Sequence, residues 1–146
     1  MASETEQQHP RYMLDTNTAS YIIKGNPASV RERLREVPMS SVCISAVTQG
    51  ELLLGVERKP DATRLREAVH EFLLRVDILP WDCDAAEMYA RVRADCERNG
   101  TPLGTMDMLI AAHSVAVGAV LITSDRAFYN VKHDLTLLDW TKPQPH

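Results

Sequence analysis

Short apolar runs alternate along this chain with longer stretches in which apolar residues recur every three or four positions. The runs at 12–14, 41–45 and 119–123 predict buried strands, and 76–79 and 136–138 predict two more. Between them the periodicity predicts helices over about 18–24, 47–58 and 61–75, the last with Leu65, Val69, Phe72 and Val76 on one face. Two further helices follow. One carries the stripe Ala85, Tyr89, Val92 and Cys96 and stops at Gly100; the other spans about 106–117 and stops at Gly118. Strand and helix alternating in this way form right-handed β-α-β units, so the expected fold is a three-layer α/β/α sandwich around a mostly parallel sheet. No internal repeat or low-complexity segment interrupts it.

The domain is expected over 11–141, with a polar N-terminal extension at 1–10 and a loose tail at 142–146. At 146 residues and 45% hydrophobic content, one domain can bury a core without disulfides. Cys43, Cys83 and Cys96 are odd in number and share no metal-type spacing, and Cys43 in Val42-Cys43-Ile44 reads as a small buried thiol. No signal-peptide core and no apolar run of membrane-spanning length is present, so a cytoplasmic protein is expected. The net charge of −4 counts weakly against a partner rich in phosphate. If four carboxylates share one cation, however, they account for that excess, and the cation reverses the local field where a phosphate must approach.

Four acids fit that description. In an open parallel sheet, ligands bind beyond the carboxyl ends of the strands. Asp15 follows the first strand, Asp125 follows the strand 119–123, and Glu51 and Asp107 are expected within the first turns of helices. Each has a structural explanation. Asp15 opens Asp15-Thr-Asn-Thr18, a run of helix caps and turn formers, and Asp125 sits in a similar Ser124-Asp125-Arg126. Asp107 follows Thr105, a residue of N-cap type, and suits the helix dipole. Glu51 is harder to explain this way: its helical neighbours are Val47, Leu54 and Gly55, an apolar face. Asp107 similarly shares its face with Ile110, Ala111 and Ser114. Carboxylates on apolar faces are costly unless a cation compensates, and a hard divalent metal with oxygen ligands would do so. Residue types alone leave both readings standing, four separate structural acids or one shared site.

Four segments carry a resemblance. Met13-Leu-Asp-Thr-Asn17, Ile44-Ser-Ala-Val-Thr-Gln-Gly-Glu-Leu52, Gly100-Thr-Pro-Leu-Gly104 with Asp107-Met-Leu-Ile-Ala-Ala-His113, and Gly118-Ala-Val-Leu-Ile-Thr123 resemble, in order, the signature blocks of PIN-domain proteins. More narrowly they resemble the VapC toxins of bacterial toxin–antitoxin pairs, with a matching closing element from Leu135 to Trp140. The resemblance implies a PIN-like fold in which Asp15, Glu51 and Asp107 are metal ligands and Asp125 a fourth, more variable one. Thr16 and Asn17 would support the site. Relatives carry Asn where this chain has Ser124, which loosens the match around Asp125.

The resemblance also implies an endoribonuclease using Mg²⁺ or Mn²⁺, in which the cation polarises the phosphodiester, activates water and stabilises the leaving 3′-oxygen. A metal-free attack by the 2′-hydroxyl would need a pair of His, and His9, His70, His113, His133 and His146 are scattered; His113 reads as structural. For phosphate contacts Lys24, Arg31, Arg33 and Arg35 are candidates, but the sign alternation of 30–36 also suits a solvated helix face, and Arg126 is preferred because it adjoins the site. Aromatic content of 5% favours a structured RNA or a single presented loop over a long single strand. Segment 13–34 is most similar to enteric-type members associated with initiator tRNA. Partners implied by the family are a VapB-type antitoxin covering the acidic groove and a second copy in a homodimer, with DNA reached only through the antitoxin. The apolar stripes at 65–72 and 89–96 would serve either a dimer or the core. Two alternatives remain. A haloacid-dehalogenase-like phosphotransferase also begins with an Asp at a strand end, but Asn17 stands where its second Asp belongs and Glu51 would have no role. A catalytically idle antitoxin-binding domain would not need all four acids.

Overall fold

The computed structural model describes residues 10–143, so most of the expected N-terminal extension and tail lies outside the described residues. Among the described residues five strands form one sheet in the order β3-β2-β1-β4-β5, and every neighbouring pair is parallel. They are β1 (Tyr12–Leu14), β2 (Val42–Ser45), β3 (Asp77–Leu79), β4 (Val120–Ile122) and β5 (Thr136–Leu138). Six helices connect them: α1 (Thr16–Lys24), α2 (Ala28–Arg35), α3 (Ala46–Glu57), α4 (Thr63–Arg75), α5 (Cys83–Asn99) and α6 (Thr105–Val117). The expected α/β/α sandwich is therefore the observed one.

The strands are short because burial on both faces, and not ladder length, holds them. Leu14, Ile44 and Ile122 face a core shared with α1, α3 and α4, while Met13, Cys43 and Leu121 face a second core shared with α5 and α6. Each fully buried aliphatic side chain contributes roughly 1.5–3 kcal/mol, against a net of about 1 kcal/mol for a ladder hydrogen bond. The stripes with an open use are spent here: Val69, Phe72, Val92 and Cys96 are buried in the cores. Burial also pushes the Cys43 thiol up to about 12, in keeping with an inert core residue.

The helix boundaries differ from the sequence expectations where a cap decides. Helix α1 begins two residues earlier than the apolar pattern suggested, because Asp15 itself is the N-cap and accepts from the Thr18 amide at 2.8 Å. Thr105 is not the cap of α6. The cap is Gly104, whose carbonyl already accepts the Met108 N–H at 2.9 Å, and no side chain closes that end. Helix α4 starts two residues later than expected, and Val76 is its C-cap instead of a strand residue. The charged run around 30–36 does lie on a helix, α2, anchored by fully buried Val30. At the other end of α6, Gly118 takes φ +70, the left-handed conformation that lets the chain turn directly into β4.

Candidate active site

The ends of β1 and β4 set the centre of the site. Leu14 pairs with Ile122, and the Asp15 amide continues the ladder to the Ile122 carbonyl at 3.1 Å, which brings the Asp15 segment beside Thr123 and Asp125. Asp15 is only 4% exposed. Burial raises its pKa, hydrogen bonds from Thr123 and Thr18 pull it back in part, and the charge of Asp125 adds to the rise. Asp15 is thus a helix cap and a buried carboxyl at once.

Asp125 has a similar double placement. Its carboxylate caps a short 3-10 turn, Arg126–Asn130, by accepting from the Ala127 amide at 3.0 Å, while its own amide donates to the Thr123 hydroxyl at 3.0 Å. Asp107 lies in the first turn of α6 as expected, beside buried Ile110, Ala111 and Ser114. Its carboxyl is raised to about 6, first by burial and then by the charges of Asp125, Asp15 and Glu51. All three other acids therefore act on Asp107 as like charges.

Glu51 occupies the second turn of α3, not the first, and the face it uses differs from the expected one. Helix α3 buries Thr48, Leu52 and Val56, whereas Leu54 is 46% exposed, so Glu51 sits half-buried at the edge of the packed face. The run Leu52-Leu53-Leu54 is apolar all round and gave no sign of which side turns inward. What holds Glu51 is polar: Oε1 accepts from the Thr16 hydroxyl at 2.5 Å, and Thr16 Oγ1 shares a 3.2 Å hydrogen bond with Thr48 Oγ1. Thr48 and Thr123 are site residues that the sequence reading passed over. Thr48 stands three positions before Glu51, a spacing that puts both on one side of the helix.

Of the expected supporting residues, Thr16 contacts an acid directly, and Ser124 and Arg126 flank Asp125 with Arg126 exposed. Asn17 is exposed, and among the described residues no hydrogen bond ties it to an acid. His113 is buried in α6 with Nδ1 2.8 Å from the Ser45 hydroxyl; burial lowers its pKa and keeps it neutral. His133 pairs with Asp95, so no pair of His faces the acids among the described residues.

A cavity of about 780 Å³ opens beside Asp107 and Asp125, walled by Arg93 and the Gly100–Gly104 segment, and another of about 390 Å³ opens beside Thr16 and Glu51 with Lys24 and Lys59 at its rim. Among the described residues no three His, Cys, Asp or Glu side chains are packed tightly enough to hold one ion as they stand. Asp107 nonetheless feels the charges of Asp125, Asp15 and Glu51. Their donors are oxygen only, which suits a hard divalent cation such as Mg²⁺ or Mn²⁺ and excludes a thiolate or imidazole type of centre.

Comparison with known proteins agrees with this fold. The PIN domain profile matches residues 12–134. The tRNA(fMet)-specific endonuclease VapC of Shigella flexneri is 35% identical over 131 residues, covering 90% of this chain and 98% of that protein. The DNA-bound VapBC structure from Salmonella typhimurium superposes with a TM-score of 0.83 at 35% identity, covering 90% of this chain and 99% of its counterpart. VapBC2 from Rickettsia felis, bound to a DNA fragment from its promoter, superposes with a TM-score of 0.81 at 29% identity, covering 88% and 98%. These matches set the phosphotransferase reading aside. With its sheet order and these relatives, the chain belongs to the PIN-domain family, in the branch of the VapC ribonuclease toxins.

Proposed function

We propose that this chain is a Mg²⁺- or Mn²⁺-dependent endoribonuclease that hydrolyses phosphodiester bonds in structured RNA, with the anticodon loop of initiator tRNA as its substrate. The observation that carries the metal dependence is Asp107, raised to about 6 by burial and by three neighbouring carboxylates. A carboxyl raised in this way by burial and like charges, in a cleft, gains stability in its charged form when a cation binds beside it. Asp15, Glu51 and Asp107 would hold that cation, with Asp125 as helper. When bound, it supplies Lewis acidity toward the phosphodiester and cancels the negative field of the site.

The protein's own residues do the rest. The Thr16 hydroxyl fixes the rotamer of Glu51, and the Thr18 and Ala127 amides each fix one oxygen of Asp15 and Asp125. With no His at the site among the described residues, the proton of the attacking water passes to solvent or to the site's carboxylates as a group. Arg126, exposed next to Asp125, supplies positive charge to an incoming phosphate. The tRNA assignment rests on the 35% identity to the Shigella flexneri enzyme named for that substrate. The same reading includes a VapB-type antitoxin that presents a basic side chain to the acids, and a homodimer.

Purified protein incubated with total RNA, with Mg²⁺ or with chelator, tests this reading directly. One dominant cut in the initiator tRNA anticodon loop that disappears in chelator is the expected result. Cuts scattered through messages with tRNA untouched would overturn the substrate, and full activity in chelator would overturn the metal dependence.

A further inference from the structure

We propose that the hollow at the carboxyl ends of β4 and β5 seats one unpaired RNA base against Tyr129, immediately next to the phosphate being cut. The inference rests on the ribonuclease reading above and assigns the residue that positions its substrate. The hollow measures about 360 Å³ and is lined by Thr123, Ser124, Arg126, Tyr129, Asp139 and Lys142. Thr123 and Ser124 lead straight into Asp125, so the hollow and the acids share one rim of the sheet.

Three features of the hollow match a nucleotide. Tyr129 is 59% exposed and is the one aromatic among the exposed large apolar side chains of the described residues; Phe128 and Trp140 are buried, and Trp81 and Tyr89 pack on each other. Its backbone is also fixed. The turn that carries it, Arg126–Asn130, is pinned by fully buried Phe128 and by two amides bound to Asp125, the Ala127 amide at its carboxylate and the Phe128 amide at its carbonyl. An aromatic carried on so fixed a backbone stacks on a base without ordering the turn at the moment of binding. Last, Arg126 and Lys142 are exposed and enter no ion pair among the described residues, while the Asp139 carboxylate accepts from the Thr141 amide and hydroxyl. An exposed aromatic sharing a hollow with two cations outside any ion pair suits a base together with its phosphate. The larger cavity beside Asp107 lacks this combination, since its Arg93 is engaged by Tyr89 and Glu97.

The shared turn has a functional consequence. Because Asp125 caps the turn that carries Tyr129, a base stacked there sets the distance from its neighbouring phosphate to the acids. Tyr129 is thus a positioning residue that holds one loop nucleotide beside the acids.

The test uses RNA hairpins with an unpaired loop of the tRNA anticodon type, intact or with a single abasic position stepped along the loop. Tyr129→Ala should raise KM roughly tenfold, the loss expected for one stacked base, with kcat within about twofold of the parent. Tyr129→Phe should restore the parental KM. One abasic position should weaken the parent protein and leave Tyr129→Ala unaffected. An unchanged KM in Tyr129→Ala overturns the inference, as does a penalty spread evenly over all abasic positions. A variant that binds RNA normally but loses a co-expressed inhibitory protein partner assigns the surface to that partner and overturns it too. Hairpins left whole by the parent protein would instead overturn the RNA-loop reading on which the inference rests.

Discussion

The Thr16 hydroxyl donates to Glu51 Oε1 at 2.5 Å, which ties the first residue of α1 to the second turn of α3 across 35 positions of sequence. Glu51 is half-buried and has no cationic partner among the described ion pairs, so this bond is what holds its carboxylate in the cleft. Thr16→Val keeps the shape and removes the donor. Loss of an outer hydrogen bond to a metal ligand typically costs 10–100-fold in activity or affinity, and roughly tenfold is expected here. Titration with Mn²⁺ followed by RNA cleavage should show the loss as weaker metal binding, and Thr16→Ser should recover most of it. Cleavage by Thr16→Val at parental metal concentrations would contradict the role.

Asp15 has two duties that substitution can separate. Asn also caps helices well, so Asp15→Asn should keep the Thr18 contact and melt near the parent, yet lose RNA cleavage altogether. Asp15→Ala loses the cap as well, which costs about 1 kcal/mol more in stability. Among the four acids Asp125→Asn should be tolerated best, because its capping oxygen can be replaced by the amide carbonyl. Thermal melts and cleavage assays on the three variants check the order. Equal loss of activity in Asp125→Asn and Asp15→Asn would mean that the fourth acid is a full ligand.

The pH dependence of metal-free protein follows from the direction of the shifts. Asp107 rises from 3.8 to about 6, so the folded protein keeps a proton there that the unfolded chain has released. That contribution to stability is fully present below 3.8 and is lost as pH rises through about 6. His113 works the other way: its lowered pKa makes its contribution complete above 6.5 and lost as pH falls. In chelator, the parent should therefore lose stability relative to Asp107→Asn between about pH 4 and about pH 6.5. A cation must displace the proton, so the rise in melting temperature given by Mn²⁺ should grow from about pH 5 to about pH 7.5. A rise of the same size at both ends would mean that Asp107 is not a ligand.

The layer architecture was legible in the sequence because strands buried on both faces read as unbroken apolar runs and the helices as stripes such as Leu65, Val69 and Phe72. Helix ends were less so, since Asp15 and Gly104 cap with geometry that a hydrophobic pattern does not carry. The site itself was only half legible. That Asp15 and Asp125 stand together depends on β1 lying next to β4, and periodicity predicts strands without predicting their order; the family blocks supplied that neighbourhood. Asp107 on its buried face was readable from spacing, whereas Glu51 on a uniformly apolar helix was not, and its partner Thr16 is too distant in the chain to suggest itself.

His113 offers the sharpest separation of structure from chemistry. It is 1% exposed, neutral, and bound through Nδ1 to Ser45, the residue whose hydroxyl also accepts from the Val47 amide to cap α3. Replacing it with Ala leaves a cavity and removes a buried hydrogen-bond partner, for an expected cost of about 2–4 kcal/mol. In a protein of this size that lowers the melting temperature by roughly 5–15 °C. A structural His predicts that the surviving folded protein, assayed well below its melting temperature, keeps kcat within about twofold. A His serving as acid or base in attack by the 2′-hydroxyl predicts the reverse, a loss of about 10²–10⁴ in kcat with the metal requirement absent. Measuring His113→Ala beside Asp107→Asn in Mg²⁺ and in chelator puts both pathways to the same test, because the acid variant should lose cleavage without, in chelator, the drop in melting temperature expected of His113→Ala.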